Sequence, residues 1–312
     1  MGKYAAGVDV GGTSVKMGIF DMEGNILEKW EIPTVTEEGP QAIFKNIAGS
    51  LKNVLAKRNI SEEEVAGIGL GVPAAVTPDG HMAPATNIRW DAMYPAKELE
   101  KHIAVPVKAA NDANVAAFGE MWKGAAKGYD DVVMVTLGTG VGGGIITEGK
   151  ILVGANGGGG EIGHIHVEDR ETVCCKCGQK GCLEQYASAT GVVRLAQRRL
   201  AQDLKPSLLR GAEISAKAVF DAAKAKDETA QQIVEEFGKY LAKGLGIICT
   251  MANPEVVVIG GGVSKAGELI LEAMEPYFKD WVFPACSQVR FVMAELGNDA
   301  GIYGAAGLIL GV

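Results

Sequence analysis

The sequence lacks the long apolar runs of a membrane protein and the basic excess of a nucleic-acid-binding protein. None of its apolar runs approaches the ~18–20 residues that span a bilayer. Against 38 acidic residues there are only 30 Lys and Arg, a net charge of −8, and they form no basic cluster that could contact a phosphate backbone. We therefore expect no membrane-spanning segment and no nucleic-acid partner.

The first twenty residues also lack the pattern of an export signal. Asp9, Gly11, Gly12 and Lys16 interrupt the apolar residues there. We therefore expect a cytoplasmic protein. In that reducing compartment, the six cysteines are expected to be thiols or metal ligands rather than disulfides.

Glycine, by contrast, is abundant: 43 of the 312 residues, about twice its usual share. At ~150 residues per domain, this length predicts two domains. Each half opens with a predicted strand, a glycine turn and a second strand, at residues 9–13 and again at 136–140. This repetition predicts two similar α/β lobes that face one another across a cleft.

Three glycine-rich turns follow predicted strands, at 11–13, 138–144 and 260–262. Glycine lets backbone N–H groups approach an anion closely, so such turns can hold phosphate oxygens, although each could equally be a tight hairpin. None matches a P-loop or a dinucleotide-binding pattern. Asp9 precedes the first turn, where its carboxylate could hold a hydrated Mg²⁺ or simply make an Asx turn.

Most of the cysteines and half of the histidines lie close together in the chain: His164, His166, Cys174, Cys175, Cys177 and Cys182. The spacing Cys-x-Cys-Gly-x-x-Gly-Cys, starting at Cys175, predicts three thiolates that bind a zinc ion with one histidine. Four protein ligands leave no open position for water, which favours a structural zinc. The spacing favours Cys175 over Cys174 but does not decide between His164 and His166.

These motifs together resemble the ROK family (repressors, open reading frames and sugar kinases). The similar stretches are Asp9–Thr13, Asn111–Gly124, Leu137–Ile146, Glu161–His164, Cys175–Glu184, Gly260–Ser264 and Leu296–Gly301. The resemblance implies an α/β fold of two actin/hexokinase-like (ribonuclease H-like) lobes with an interlobe cleft and a zinc knuckle. It implies a small lobe of residues 1–112 with the C-terminal helix 300–312, and a large lobe of residues 113–299. It also implies a homodimer or a dimer of dimers.

Within the family, the resemblance is greatest to the glucose kinases, and it implies ATP-dependent phosphorylation of D-glucose to glucose 6-phosphate. Asp112 would then be the general base, although from the sequence alone an Asp at this place could equally cap the following helix. The implied sugar contacts are Asn87, Asn111, Asp112, Gly140, Glu161, His164 and Glu184. The implied contacts to ATP and Mg²⁺ are Asp9, Gly11, Gly12, Thr13, Gly138, Thr139, Gly140, Gly261 and Gly262. The implied zinc ligands are His164, Cys175, Cys177 and Cys182.

Other readings within the family differ in substrate or in chemistry. A kinase for N-acetylmannosamine, N-acetylglucosamine or fructose would share the Glu-x-Gly-His and zinc motifs. A catalytically silent sugar sensor would need neither Asp112 nor the three glycine turns. The family's repressors carry a helix-turn-helix before the first turn, and with eight residues ahead of Asp9 we expect none here.

Overall fold

In the computed structural model, two five-stranded sheets organise the chain; it describes residues 2–37, 39–85, 88–202 and 204–312. The strands are β1 Tyr4–Val10, β2 Ser14–Asp21, β3 Ile26–Pro33, β4 Val65–Val72, β5 Val107–Asn111, β6 Val132–Leu137, β7 Val141–Thr147, β8 Lys150–Ile151, β9 Val256–Gly260 and β10 Arg290–Met293. The α-helices are α1 Pro40–Lys57, α2 Pro95–Glu100, α3 Asp112–Lys123, α4 Glu184–Ala187, α5 Ala189–Gln202, α6 Ala216–Lys224, α7 Glu228–Ala252, α8 Leu269–Phe278 and α9 Ala300–Leu310. None of the helices within these ranges is long and apolar enough to cross a bilayer.

The first sheet has the order β3-β2-β1-β4-β5 and brings two predicted site segments to one edge. β1 to β3 form an antiparallel meander, whereas β4 and β5 run parallel to β1. The carboxyl ends of parallel strands meet at the same edge of a sheet. In register, Asp9 pairs with Gly71, and Val72 pairs with Asn111. Asp9 and the Asn111–Asp112 pair therefore lie at the same edge.

The second sheet has the order β10-β9-β6-β7-β8. Its strands β6, β9 and β10 are parallel, and all five residues of β9 are buried. Such continuous burial is typical of a strand covered on both faces. The turns at 138–140 and 261–262 follow the carboxyl ends of the neighbouring strands β6 and β9, so they lie at one edge of this sheet.

The chain divides into two compact units. Unit 1 contains residues 1–130, 144–160 and 295–312, and unit 2 contains residues 131–143 and 161–294. This division differs from the boundary predicted at residue 112, because α3 packs against α9 inside unit 1. A Cβ on Gly304 would lie only 1.6 Å from the carbonyl oxygen of Val115, so the two helix backbones are almost in contact. Such close packing arises between residues far apart in sequence.

Candidate active site

Three cysteines and one histidine of unit 2 form a compact group of donor atoms. The ligand atoms of His164, Cys175, Cys177 and Cys182 all lie within 4.8 Å of one another. The Cys177 and Cys182 sulfurs are 3.6 Å apart, and the Cys175 sulfur is 3.8 Å from His164 Nδ1. Zn–S bonds of about 2.3 Å in a tetrahedron place the sulfur atoms roughly 3.8 Å apart. The donor set and its spacing therefore fit zinc.

The hydrogen bonds of His166 decide between the two candidate histidines. His166 Nδ1 lies 2.9 Å from the Lys180 carbonyl oxygen, and its Nε2 lies 2.8 Å from Asp169 Oδ1. The hydrogen bond to Asp169 raises the pKa of His166. Because both ring nitrogens of His166 are engaged, His164 is the histidine that faces the thiols. Cys174 is exposed and lies outside the group.

The thiols of this cluster resist ionisation as long as no cation is near. Burial raises the pKa of Cys182 to about 12, and the hydrogen bond with Cys177 raises it further. Burial also raises the pKa of Cys175. A metal ion binds the deprotonated thiolates and displaces their protons. A zinc ion would therefore supply the positive charge that three adjacent thiolates need.

Glu184, the first residue of α4, lies between this cluster and the glycine turn after β6. Its Oε2 accepts the N–H of Val141 at 3.0 Å, and its Oε1 lies 3.7 Å from the sulfur of Cys175. A Cβ on Gly140 would lie 2.0 Å from Glu184 Oε2. Only glycine at position 140 leaves room for the carboxylate in this position.

Glu161 and His164 flank a single 3₁₀ turn next to the cluster. His164 Nε2 lies 3.9 Å from Glu161 Oε2, on the side of the ring away from Cys175. Both side chains are exposed to solvent. Unit 2 thus brings together Gly140, Glu161, His164 and Glu184, four of the predicted sugar contacts.

In unit 1, Asn111 rather than Asp112 caps helix α3. Asn111 Oδ1 accepts the N–H of Asn114 at 3.0 Å, and its amide nitrogen donates to the Ala74 carbonyl at 3.2 Å. Asp112 is the first helical residue and is half-buried, and its Oδ1 accepts the N–H of Ala113. The helix cap is therefore not the role of Asp112. Asn87, the remaining predicted sugar contact, lies outside the described residues.

Asp9 lies at the end of β1 against the start of α9. Its Oδ2 is 2.4 Å from the position that a Cβ on Gly301 would take. Burial raises the pKa of Asp9 to about 6, although the charge of Lys16 opposes the shift. The Lys16 ammonium donates to the Asn298 carbonyl oxygen at 3.1 Å. The following residues, Gly11–Thr13, form the turn into β2.

The turns after β6 and β9 line a cavity of about 590 Å³ in unit 2. Its lining combines glycine backbone with an aromatic ring and three lysines: Gly138, Thr139, Ser215, Lys217, Phe220, Lys224, Gly262 and Lys265. Such a lining suits an anion that carries an apolar portion, as a nucleotide does. Gly261 precedes Gly262 with φ +87°, a conformation that favours glycine.

Sequence reasoning missed the part of this cavity that α6 contributes. Ser215 and Phe220 reach it from α6 and its N-cap, about 75 residues after Gly138. They belong to no short phosphate-binding motif, so only the packing of α6 brings them to the turns. A serine that caps an amphipathic helix is the one local signal at this place, and it indicates a helix start rather than a ligand site.

The two sheets, the paired glycine turns and the Cys₃His cluster define an α/β protein of the ROK hexokinase type. A ROK hexokinase from Thermus thermophilus superposes with a TM-score of 0.81 at 30% identity, covering 97% of this chain and 96% of its own. The family model described as "ROK family" matches residues 5–312. The chain belongs to the ROK family.

Two further relatives carry kinase names. A glucokinase of Halalkalibacterium halodurans is 42% identical over 98% of this chain and 95% of its own length. An N-acetyl-D-glucosamine kinase of Vibrio vulnificus is 33% identical over 96% of this chain and 97% of its own. The predicted family and the predicted enzyme class, a kinase, are confirmed.

Proposed function

We propose that this chain is an ATP-dependent glucokinase, which transfers the γ-phosphoryl group of ATP to the 6-hydroxyl of D-glucose. The observation that carries the proposal is the position of Asp112. Because Asn111 caps α3, Asp112 stands in the first helical turn, at the edge where β1, β4 and β5 end. Sequence similarity to the Halalkalibacterium halodurans glucokinase over nearly the whole chain supports the choice of reaction.

In this proposal, Asp112 takes the proton of the 6-hydroxyl as that oxygen attacks the γ-phosphorus. The bond from oxygen 6 to phosphorus forms, the bond from phosphorus to the bridging oxygen of ADP breaks, and the proton remains on the Asp112 carboxyl. General-base catalysis of this kind contributes roughly 10²- to 10⁴-fold, and positioning of the two substrates contributes much of the rest.

The sugar would be held by paired hydrogen-bond donors and acceptors. Carboxylates accept from hydroxyls, and amide and imidazole N–H groups donate to them. In unit 2 these groups are Glu161, His164, Glu184 and the backbone near Gly140, and in unit 1 they are Asn111 and, by resemblance, Asn87. Zinc would supply a fixed orientation for the His164 ring and a rigid support beside Glu184.

ATP would bind through backbone N–H groups of the turns at 11–13 and 138–140, with residues 261–262 near the nucleoside. Lysines lining the cavity in unit 2, such as Lys217 and Lys265, add positive charge for the phosphates. The Asp9 carboxylate would hold the hydrated Mg²⁺ that accompanies ATP. A homodimer or a dimer of dimers, a cytoplasmic location and the cleft remain predictions.

A kinase for an N-acetylated hexosamine is the second candidate, because the Vibrio vulnificus relative is also similar over the full length. The two candidates share the fold, the base and the cluster, and they differ only in the group at carbon 2 of the sugar. Fructose and N-acetylmannosamine are tested alongside for the same reason.

The test measures sugar-dependent release of ADP from Mg-ATP with glucose, N-acetylglucosamine, N-acetylmannosamine, mannose and fructose. Turnover should be greatest with glucose, and Asp112→Asn should lower kcat on the order of 10³-fold. Asp91→Asn, at an exposed position, is the control and should leave kcat unchanged. Turnover only with an N-acetylated sugar would move the substrate, and binding of sugar without turnover would indicate a sensor.

A further inference from the structure

Threonine hydroxyls hold the backbone of both equivalent glycine turns. In unit 2, Thr190 Oγ1 donates to the carbonyl oxygen of Thr139 at 2.9 Å, in the turn after β6. In unit 1, Thr34 Oγ1 donates to the carbonyl oxygen of Gly11 at 2.7 Å, in the turn after β1. The two threonines come from unrelated elements, the start of α5 and the residue after β3. The same hydrogen bond thus recurs at two turns with different local sequences.

Backbone N–H groups reinforce each of these contacts. The N–H of Ala189 donates to the Gly138 carbonyl at 2.8 Å, and the N–H of Thr34 donates to the Thr13 carbonyl at 2.9 Å. The Ser188 hydroxyl lies 2.9 Å from Thr190 Oγ1, which helps to fix the threonine rotamer. Two carbonyl groups are therefore held in each turn.

Holding a carbonyl also aims the next N–H group. The peptide unit is planar and trans, so its C=O and N–H bonds point in opposite directions. The Thr139 carbonyl held by Thr190 therefore directs the N–H of Gly140 away from α5. The Gly11 carbonyl held by Thr34 likewise directs the N–H of Gly12. Within the described residues, neither N–H has a hydrogen-bond partner.

We infer that Thr190 and Thr34 are positioning residues that orient the turn N–H groups toward the phosphates of the nucleotide. The inference rests on the proposed function, because it takes these turns as the phosphate-binding elements. An aligned N–H group that needs no rearrangement binds an anion better than one that must reorient. The held carbonyls also keep their negative ends away from the phosphate oxygens.

The experiment compares Thr190→Val, which removes the hydroxyl and keeps the shape, with Thr190→Ser, which keeps the hydroxyl. Binding of Mg-ADP and of adenosine is measured by calorimetry, and KM for glucose by turnover. Thr190→Val should weaken Mg-ADP binding on the order of fivefold to tenfold. Adenosine, which has no phosphate, should bind within about twofold of wild type, and Thr190→Ser should restore Mg-ADP binding.

Thr34→Val gives an independent second test at the other turn, with the same expected loss. Thr147→Val, at an exposed position at the end of β7, is the matched control and should bind both ligands like wild type. Unchanged Mg-ADP binding in both valine variants overturns the inference, as does an equal loss for adenosine and Mg-ADP. If the wild type phosphorylates sugars while the valine variants bind normally, only the inference fails. If the wild type neither binds Mg-ADP nor phosphorylates a sugar, the proposed function fails with it.

Discussion

The Glu184 carboxylate bridges two parts of unit 2: one oxygen accepts the Val141 N–H at 3.0 Å, and the other lies 3.7 Å from the Cys175 sulfur. The same carboxylate therefore joins the thiol cluster to the glycine turn after β6. Because Cys182 lies only two residues before Glu184, any change in the cluster moves the start of α4. Metal binding, sugar contacts and the turn should respond together.

Removal of one cluster thiol tests this dependence. We expect Cys177→Ser to lose bound zinc, to unfold at lower temperature and to raise KM for glucose on the order of 10²-fold, because His164 and Glu184 lose their fixed orientation. Metal content is measured by mass spectrometry, and the transition by calorimetry. Cys174→Ser, an exposed cysteine outside the cluster, is the control and should retain zinc. Full zinc content in Cys177→Ser would contradict the ligand assignment.

A single methyl group at the turn tests the position of Glu184 by itself. In Gly140→Ala the new Cβ would lie 2.0 Å from Glu184 Oε2, so the carboxylate must leave the Val141 N–H. We expect KM for glucose to rise at least about tenfold, with zinc retained. In Gly138→Ala the nearest atom is 3.9 Å from the new Cβ, so a smaller increase is expected. Equal losses in both variants would show that the turn, rather than Glu184, is the sensitive element.

Asp9 should lower the stability of the ligand-free protein. Its folded pKa of about 6 exceeds the ordinary value of 3.8, so the folded state favours the protonated form. Stability from this group is complete below pH 3.8 and is lost as the pH rises through 6. Asp9→Asn should therefore raise the free energy of unfolding at pH 7.5 by about 1–3 kcal/mol, and by little at pH 4.

Urea unfolding at the two pH values measures this difference, with exposed Asp91→Asn as the control. The same Asp9→Asn variant should bind Mg-ATP more weakly, since a neutral amide is a poor ligand for hydrated Mg²⁺. A variant that is no more stable than wild type at pH 7.5 would show that burial does not penalise the charge.

The sequence predicts what local patterns control. The apolar run Val65–Val72 is a strand with those bounds, and the Ser61–Glu64 capping pattern forms a short 3₁₀ turn before it. The long helices begin and end within about two residues of their predicted bounds. The cysteine spacing likewise predicts a cluster that the structure assembles.

Long-range packing explains what the sequence does not predict. His164 and His166 have nearly the same spacing from the cysteines, and only the hydrogen bond to Asp169 separates their roles. The unit boundary depends on the contact of α3 with α9, almost 200 residues apart in the chain. The cavity residues on α6, such as Phe220, reach the turns for the same reason.

Glu171 provides a last test, because it is a buried acid that the proposed reaction does not use. Its side chain is fully buried and accepts hydrogen bonds from Tyr186, from the Val173 N–H, and from Arg194 and Arg198. Burial alone would raise the pKa of Glu171, but these hydrogen bonds outweigh it and hold the pKa at about 2. The folded state therefore favours the ionised carboxylate.

This depressed pKa fixes the sign of the pH dependence. The stabilisation by Glu171 is complete above pH 4.5 and is lost as the pH falls toward 2. Glu171→Gln should lower the free energy of unfolding by about 2–4 kcal/mol at pH 7, because it leaves two arginines without their charge partner. Near pH 3 the gap between wild type and variant should narrow markedly. Exposed Glu213→Gln should change neither value, and a gap that stays constant with pH would show that the carboxylate's charge is not what stabilises this part of unit 2.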